Sequence, residues 1–305
     1  MAVGTKGAVA GAVGFRQPGL VLAFNRLWLL VLPALAIFLL FFAIPVILML
    51  AIAFNPAKQG VVLFQPTLTL ANFGRWLGNS LYTNAAITSI VLALIVVVIT
   101  LVFAYPLAYV VAKTKNPRRT SLYMILILIS MQLDLVIRMY GLMVLLGDNG
   151  LINASLLRYH IIASPLPLMY NAFGTVVGLV QMSLPFMILS LIGVIQGIQP
   201  VYEEAARSLG ASRWSTFWHI TFPLSMPGVL AGSLLVFAIA ISSYVVPALI
   251  GGWRVIVMPI NIYQQISEQG NWQFGATIAV ILFTISLAAV YAYHRYTEKR
   301  IGGLV

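Results

Sequence analysis

Few residues in this sequence are equipped for chemistry, and the most conspicuous lie inside apolar runs. In MQLDLVIRMYG, Asp134 and Arg138 stand four residues apart. A continuous helix would put both on one face, where each neutralises the other. A charge at membrane depth costs roughly 2.5–3.5 kcal/mol on insertion scales unless it faces a bundle interior or a wet path, so the same pair also suits a path or gate. Tyr140, Ser242, Ser243, Tyr244, Glu268 and Trp272 complete the set that could handle a cationic solute. Ammonium groups are drawn to ring faces and carboxylates, while packing or interfacial anchoring is the alternative for each ring.

Other chemistries find no footing. His160, His219 and His294 are far apart and the chain has no Cys, so no metal-ligand spacing exists. No GxxxxGK[ST] loop or GxSxG elbow occurs, which argues against nucleotide binding through a P-loop and against nucleophilic catalysis. No cofactor is expected in this chain.

The elements that position these residues follow from composition. Hydrophobic residues make up 61% of the 305 and charged residues 8%, which describes a polytopic membrane protein rather than soluble domains. A helix needs about 20 apolar residues to cross roughly 30 Å of hydrocarbon. Six such runs lie near 28–53, 85–112, 120–145, 174–197, 227–250 and 273–294. The alternation of a membrane barrel is absent, so the predicted class is all-α.

The predicted organisation is a tail at 1–27, a first span at 28–53, an external segment at 54–84, a core at 85–296 and a tail at 297–305. With the N-terminus inside, the inner segments hold Lys6, Arg16, Arg26, Lys113, Lys115, Arg118, Arg119, Arg207, Arg213, Arg295, Lys299 and Arg300, against Lys58, Arg75, Arg158 and Arg254 outside. The positive-inside rule therefore places both termini in the cytoplasm. The net charge of +11 is then topology and requires no nucleic acid. GxxxG steps at Gly174/Gly178, Gly193/Gly197 and Gly228/Gly232 read as close helix packing, and Pro106 and Pro185 as kinks.

YEEAARSLGASRWSTFWHITFPLSMPG, residues 202–228, is the longest polar stretch. Pro200 suits a first helical turn and Glu203 and Glu204 complement its positive end. Gly210 ends that helix, Ser212 caps a second one running to about Ile220, and Pro223 and Pro227 break the chain. Arg207 can pair with Glu203 across one turn. Two short helices joined by a glycine elbow suit a groove on a soluble partner better than an anionic lipid surface.

Here the residues carry a family likeness. Glu204-Ala205-Ala206, Gly210, Ile220 and Phe222-Pro223 resemble the EAA motif of inner-membrane permeases of type I binding-protein-dependent ABC importers, with Phe222 where the family usually has Leu. Tyr105-Pro106-Leu107-Ala108 matches the family's Tyr-Pro-Leu-Ala signature, and the likeness runs from about 68 to 294. The segments around 136–153 and 244–280 are similar to the branch carrying spermidine, putrescine and related solutes. The resemblance implies a MetI-like six-helix fold in the bacterial inner membrane. It also implies coupling helices at 200–223 that sit in a cleft of a partner ATPase.

On that resemblance Glu203, Glu204, Ala205, Ala206, Gly210, Arg213, Ile220 and Pro223 contact the ATPase or shape the insert. The implied partners are an ABC ATPase dimer, which binds ATP and Mg, a second permease and a periplasmic binding protein. The second permease is expected to be a different chain, with a homodimer open. The solute is expected to be a polyamine; an opine, an aminophosphonate or another small solute is the alternative. A secondary transporter would have no use for the insert.

Overall fold

The computed structural model describes residues 31–56 and 67–301, with the backbone alone described at 294 and 296–301. The expected tail 1–27, the first three residues of the first span, residues 57–66 of the external segment and residues 302–305 lie outside these. The chain divides into two units, Met1–Ala51 and Ile52–Val305. The first contains all but the last two residues of α1 (Val31–Ala53), an uncharged apolar helix, with one π turn at Leu39–Ala43.

The second unit contains α2 (Ala71–Leu77), α3 (Ser80–Lys113), α4 (Pro117–Gln132), α5 (Leu135–Leu146), α6 (Leu151–Arg158) and α7 (Ala172–Gly197). After these come α8 (Pro200–Ser208), α9 (Arg213–Leu224), α10 (Met226–Ser242), α11 (Val245–Leu249), α12 (Met258–Tyr263) and α13 (Trp272–Ile301). No strand occurs among the described residues. Side-chain caps set the starts of the long helices: Asn79 accepts from Leu81 N, Asn116 from Arg118 N and Asn171 from Gly174 N. Pro106 and Pro185 lie inside α3 and α7, which are continuous across them.

The core is the packing of α3, α7 and α10. Ala93, Val96, Ala104 and Ala108 of α3 meet Met187, Leu191 and Ile195 of α7 and Val236 and Ile241 of α10, all buried. Small residues allow this approach: a Cβ on Gly178 would sit 2.7 Å from Val246, and one on Gly232 would sit 2.5 Å from the Met187 sulfur. Gly193 and Gly197 face open space instead, so only two of the three GxxxG steps are packing contacts.

A second cluster joins α2, the start of α3, α12 and α13 through Trp76, Tyr82, Met258, Phe274 and Ile278. It is tied by polar contacts across long stretches of sequence. Ser89 Oγ accepts from Met258 N at 2.9 Å, and the Arg75 guanidinium lies 4.4 Å from the Phe274 ring centre.

Five segments are long and apolar enough to cross a membrane among the described residues: 31–53, 80–113, 135–158, 172–197 and 272–293. The pair α9–α10, bent by 62°, makes a sixth when taken as one span. Two expectations change. The run 120–145 is two helices, because the Asp134 carboxylate accepts from Val136 N and Ile137 N and so starts α5 afresh. The run 227–250 stops at Ser242, with Ser243 extended before α11. The connection between the last two spans is itself built, containing α12 and a π turn at Gln264–Glu268, with Met258, Ile260, Asn261 and Gln265 buried.

Candidate functional site

The insert is built as its residues dictate. Pro200 occupies the first turn of α8 and Glu203 lies in that turn. At its end Gly210 adopts φ +88°. Gly210 N donates to Arg207 O at 3.0 Å and Ala211 N to Ala206 O at 3.0 Å, the paired bonds of a Schellman terminus. Ser212 then caps α9, accepting from Ser215 N at 3.1 Å. The elbow is therefore fixed by backbone geometry on both sides. Where Pro223 and Pro227 were expected to break the chain, α9 runs through a π turn at Phe217–Thr221 to Leu224 and bends at Ser225 into α10. Pro227 sits in the first turn of α10, where its missing N–H costs nothing, and Pro223 lies in the last turn of α9, just after the π turn.

The inward face of the insert packs on α3. Phe217 is the hub, with ring centres 5.5 Å from Tyr105, 5.9 Å from Tyr109, 5.9 Å from Trp214 and 5.3 Å from Trp218. Phe222, which stands where the motif usually has Leu, packs on Tyr105 at 5.6 Å and Trp218 at 5.1 Å. Tyr105 Oη and Ser225 Oγ are 2.7 Å apart at the bend. Between α3 and the insert lies a cavity of about 640 Å³ whose wall includes Tyr105, Tyr109, Glu203, Arg207, Arg213 and Trp214.

Electrostatics bind the same face. Lys113 Nζ lies 2.8 Å from Glu203 Oε1, and Thr221 Oγ1 donates to that oxygen at 2.9 Å. Partial burial would raise the Glu203 pKa. Hydrogen bonds from Lys113 and Thr221, together with the charges of Lys113 and Arg207, outweigh it and hold the carboxyl below its usual range. Glu203 thus pairs across elements with Lys113 rather than with Arg207 on its own helix. This Lys113–Glu203 pair is the one salt bridge among the described residues.

The outward face is different. Glu204, Ala205, Arg213 and Pro223 are exposed and Ile220 and Ala206 are half-buried. Leu209 is 90% exposed and Trp214 71%, so an apolar edge flanks the elbow.

The candidate path residues are not gathered in one place. Asp134 is an exposed cap whose Oδ1 accepts from Val136 N and Ile137 N, and it makes no ion pair with Arg138. Arg138 is half-buried, and its Nε lacks a hydrogen-bond partner. Tyr140 is exposed. Ser242 turns its hydroxyl back onto Ala238 O at 2.7 Å, and Ser243 is buried in the break after α10. Tyr244 joins two residues the sequence reading missed: Tyr263 at 4.8 Å and Trp253 at 6.4 Å, themselves 6.2 Å apart. The signal was GGW, since Gly252 at φ +59° and Trp253 at φ +63° make the turn that presents the ring. Glu268 and Trp272 are exposed nearby in sequence, on the π turn and the start of α13.

Residues 68–303 match the family described as binding-protein-dependent transport system inner membrane component. The chain belongs to this family. Among curated members of this transport-permease family it is 32% identical over 258 residues to the spermidine/putrescine transport system permease protein PotB of Haemophilus influenzae, covering 84% of this chain and 89% of that protein. PotB of Escherichia coli is 34% identical over 227 residues, covering 74% and 82%. A sulfate transport system permease, CysW of Synechocystis, is 28% identical over 252 residues, covering 81% and 86%.

Solved structures agree on the fold. A chain of a bacterial alginate ABC transporter, crystallised with an alginate pentasaccharide-bound periplasmic protein, superposes with a TM-score of 0.75 at 17% identity, covering 92% of this chain and 98% of that one. The transport permease is thus an all-helical membrane component of the ABC importer class, and the EAA-like insert sits on the end of its core helix α3.

Proposed function

We propose that this chain is one permease subunit of an ATP-driven importer that carries a polyamine from a periplasmic binding protein into the cytoplasm. The observation that carries the coupling role is the insert, with its rigid Schellman elbow and an exposed apolar edge at Leu209 and Trp214 beside Glu204 and Arg213. That edge is shaped to enter a cleft on a soluble partner. The partner is an ABC ATPase dimer that binds ATP and Mg and performs the hydrolysis, while this chain is not an enzyme. Glu204, Ala205, Gly210, Arg213, Ile220 and Pro223 form or shape the docking surface, and Glu203 and Ala206 hold it from within. The excess of Lys and Arg on the insert's side supports placing it, and both termini, in the cytoplasm.

Closure of the ATPase dimer would push on the insert, and this permease would rock against a second, similar permease between outward-open and inward-open states. The PotB relatives support spermidine or putrescine as the solute. Tyr244, Trp253 and Tyr263 supply ring faces for ammonium groups, with Glu268 and Trp272 close in sequence and Asp134, Arg138, Tyr140, Ser242 and Ser243 as further candidates along the path. Affinity purification in gentle detergent tests the assignment. It should recover an ATPase and a second permease whose ATP hydrolysis is stimulated by binding protein loaded with spermidine and not by sulfate. Recovery of this chain alone would refute the coupling role, and stimulation by sulfate would refute the polyamine.

A further inference from the structure

Three features of α3 point the same way. Tyr105, Tyr109 and Lys113 recur at steps of four, which on a helix form one ridge, and each meets a different part of the insert. Tyr105 reaches Ser225 at the bend and the rings of Phe217 and Phe222. Tyr109 meets Phe217. Lys113, at the end of the ridge, holds Glu203 of α8, whose carboxylate also accepts from Thr221 of α9.

The alternative route from the insert into the bundle is the chain itself, through the joint at Ser225. That joint is bent by 62° and is itself held to α3 by Tyr105, so together with the Lys113–Glu203 pair the insert is gripped by α3 at two points along one ridge. α3 packs along both α7 and α10, so motion of α3 reaches the whole core.

We infer that the Lys113–Glu203–Thr221 tie and the Tyr105–Ser225 contact form a two-point clamp that makes the insert and the end of α3 move as one body, so that motor motion enters the core through α3. Lys113 and Glu203 are positioning residues in this device. The inference rests on the reading that the insert docks an ATPase.

The test is a double-mutant cycle on the reconstituted complex, reading solute molecules imported per ATP hydrolysed alongside the amount of ATPase that co-purifies. Lys113→Gln and Glu203→Gln should each lower the transport-to-hydrolysis ratio by about threefold or more, and Lys113→Gln, which lies outside the docking surface, should leave ATPase recovery unchanged. The double variant should fall no further than the worse single one, because two residues acting as a unit are non-additive. Lys113→Arg should keep the wild-type ratio. Wild-type ratios in the single variants, or losses that multiply in the double variant, would overturn the clamp. Failure of the wild-type complex to retain an ATPase would instead overturn the docking reading beneath it.

Discussion

Gly210 stands at φ +88° with nothing within 4 Å of a Cβ placed on it, so what forbids a side chain there is the backbone and not the space. A β-branched residue in the left-handed region costs on the order of 1–3 kcal/mol, and Asn less because its side chain tolerates that conformation. Gly210→Val should therefore leave the spans folded, by circular dichroism and gel filtration, while reducing co-purified ATPase, and Gly210→Asn should retain most of it. Equal retention in both variants would mean the elbow's shape is irrelevant to docking. Glu203 makes a second prediction through pH. Its lowered folded pKa means the tie stabilises the fold fully above the ordinary carboxylate range and loses that contribution as pH falls through the folded value. The gap in melting temperature between wild type and Glu203→Gln should be constant from about pH 8 to about pH 6 and close on further acidification. At this scale the sequence was legible wherever backbone chemistry decides, as at Gly210 and Ser212. It was illegible for Glu203, whose partner Lys113 lies 90 residues away and competes with the nearer Arg207 in a way only the fold reveals.

At the scale of elements, the glycine steps separate packing from coincidence. Gly232 approaches Met187 and Gly178 approaches Val246 so closely that an added Cβ would displace them, whereas Gly193 faces open space. Overpacking a core costs roughly 1–3 kcal/mol, while Gly to Ala at an unhindered helical site gains about 0.5–1 kcal/mol. Thermal unfolding in detergent should show Gly232→Val and Gly178→Val destabilised and Gly193→Ala unchanged or raised; loss of stability in Gly193→Ala would mean that site is covered. The helices were readable from hydropathy, and their breaks were not. Asp134 interrupts a span by capping, and within an apolar run the same residue reads equally well as half of an ion pair. The stop at Ser243 carries no Gly or Pro, and the burial of Asn261 and Gln265 depends on neighbours from the start of α3 and from α13.

At the scale of the molecule, the fold's two ends differ in charge and in architecture. Lys113, the α3 terminus, the insert and Arg118 and Arg119 at the start of α4 lie toward one end of the long helices, while Arg158 closes α6 and Arg254 sits in the turn after α11 beyond their other end. Lys and Arg are retained on the cytoplasmic side during insertion, so the charge count puts the insert on the side that the proposed docking role requires. The absence of Cys from the whole chain makes this directly measurable, since any thiol introduced is the only one present. Ser208→Cys and Arg119→Cys, both exposed, should react with a membrane-impermeant maleimide only in inside-out vesicles, and Arg158→Cys and Gln269→Cys only in right-side-out ones. Labelling of Ser208→Cys from the periplasmic side would place the insert out of reach of any ATP-driven motor. Both the docking surface and the clamp onto α3 would then have to serve some purpose other than coupling.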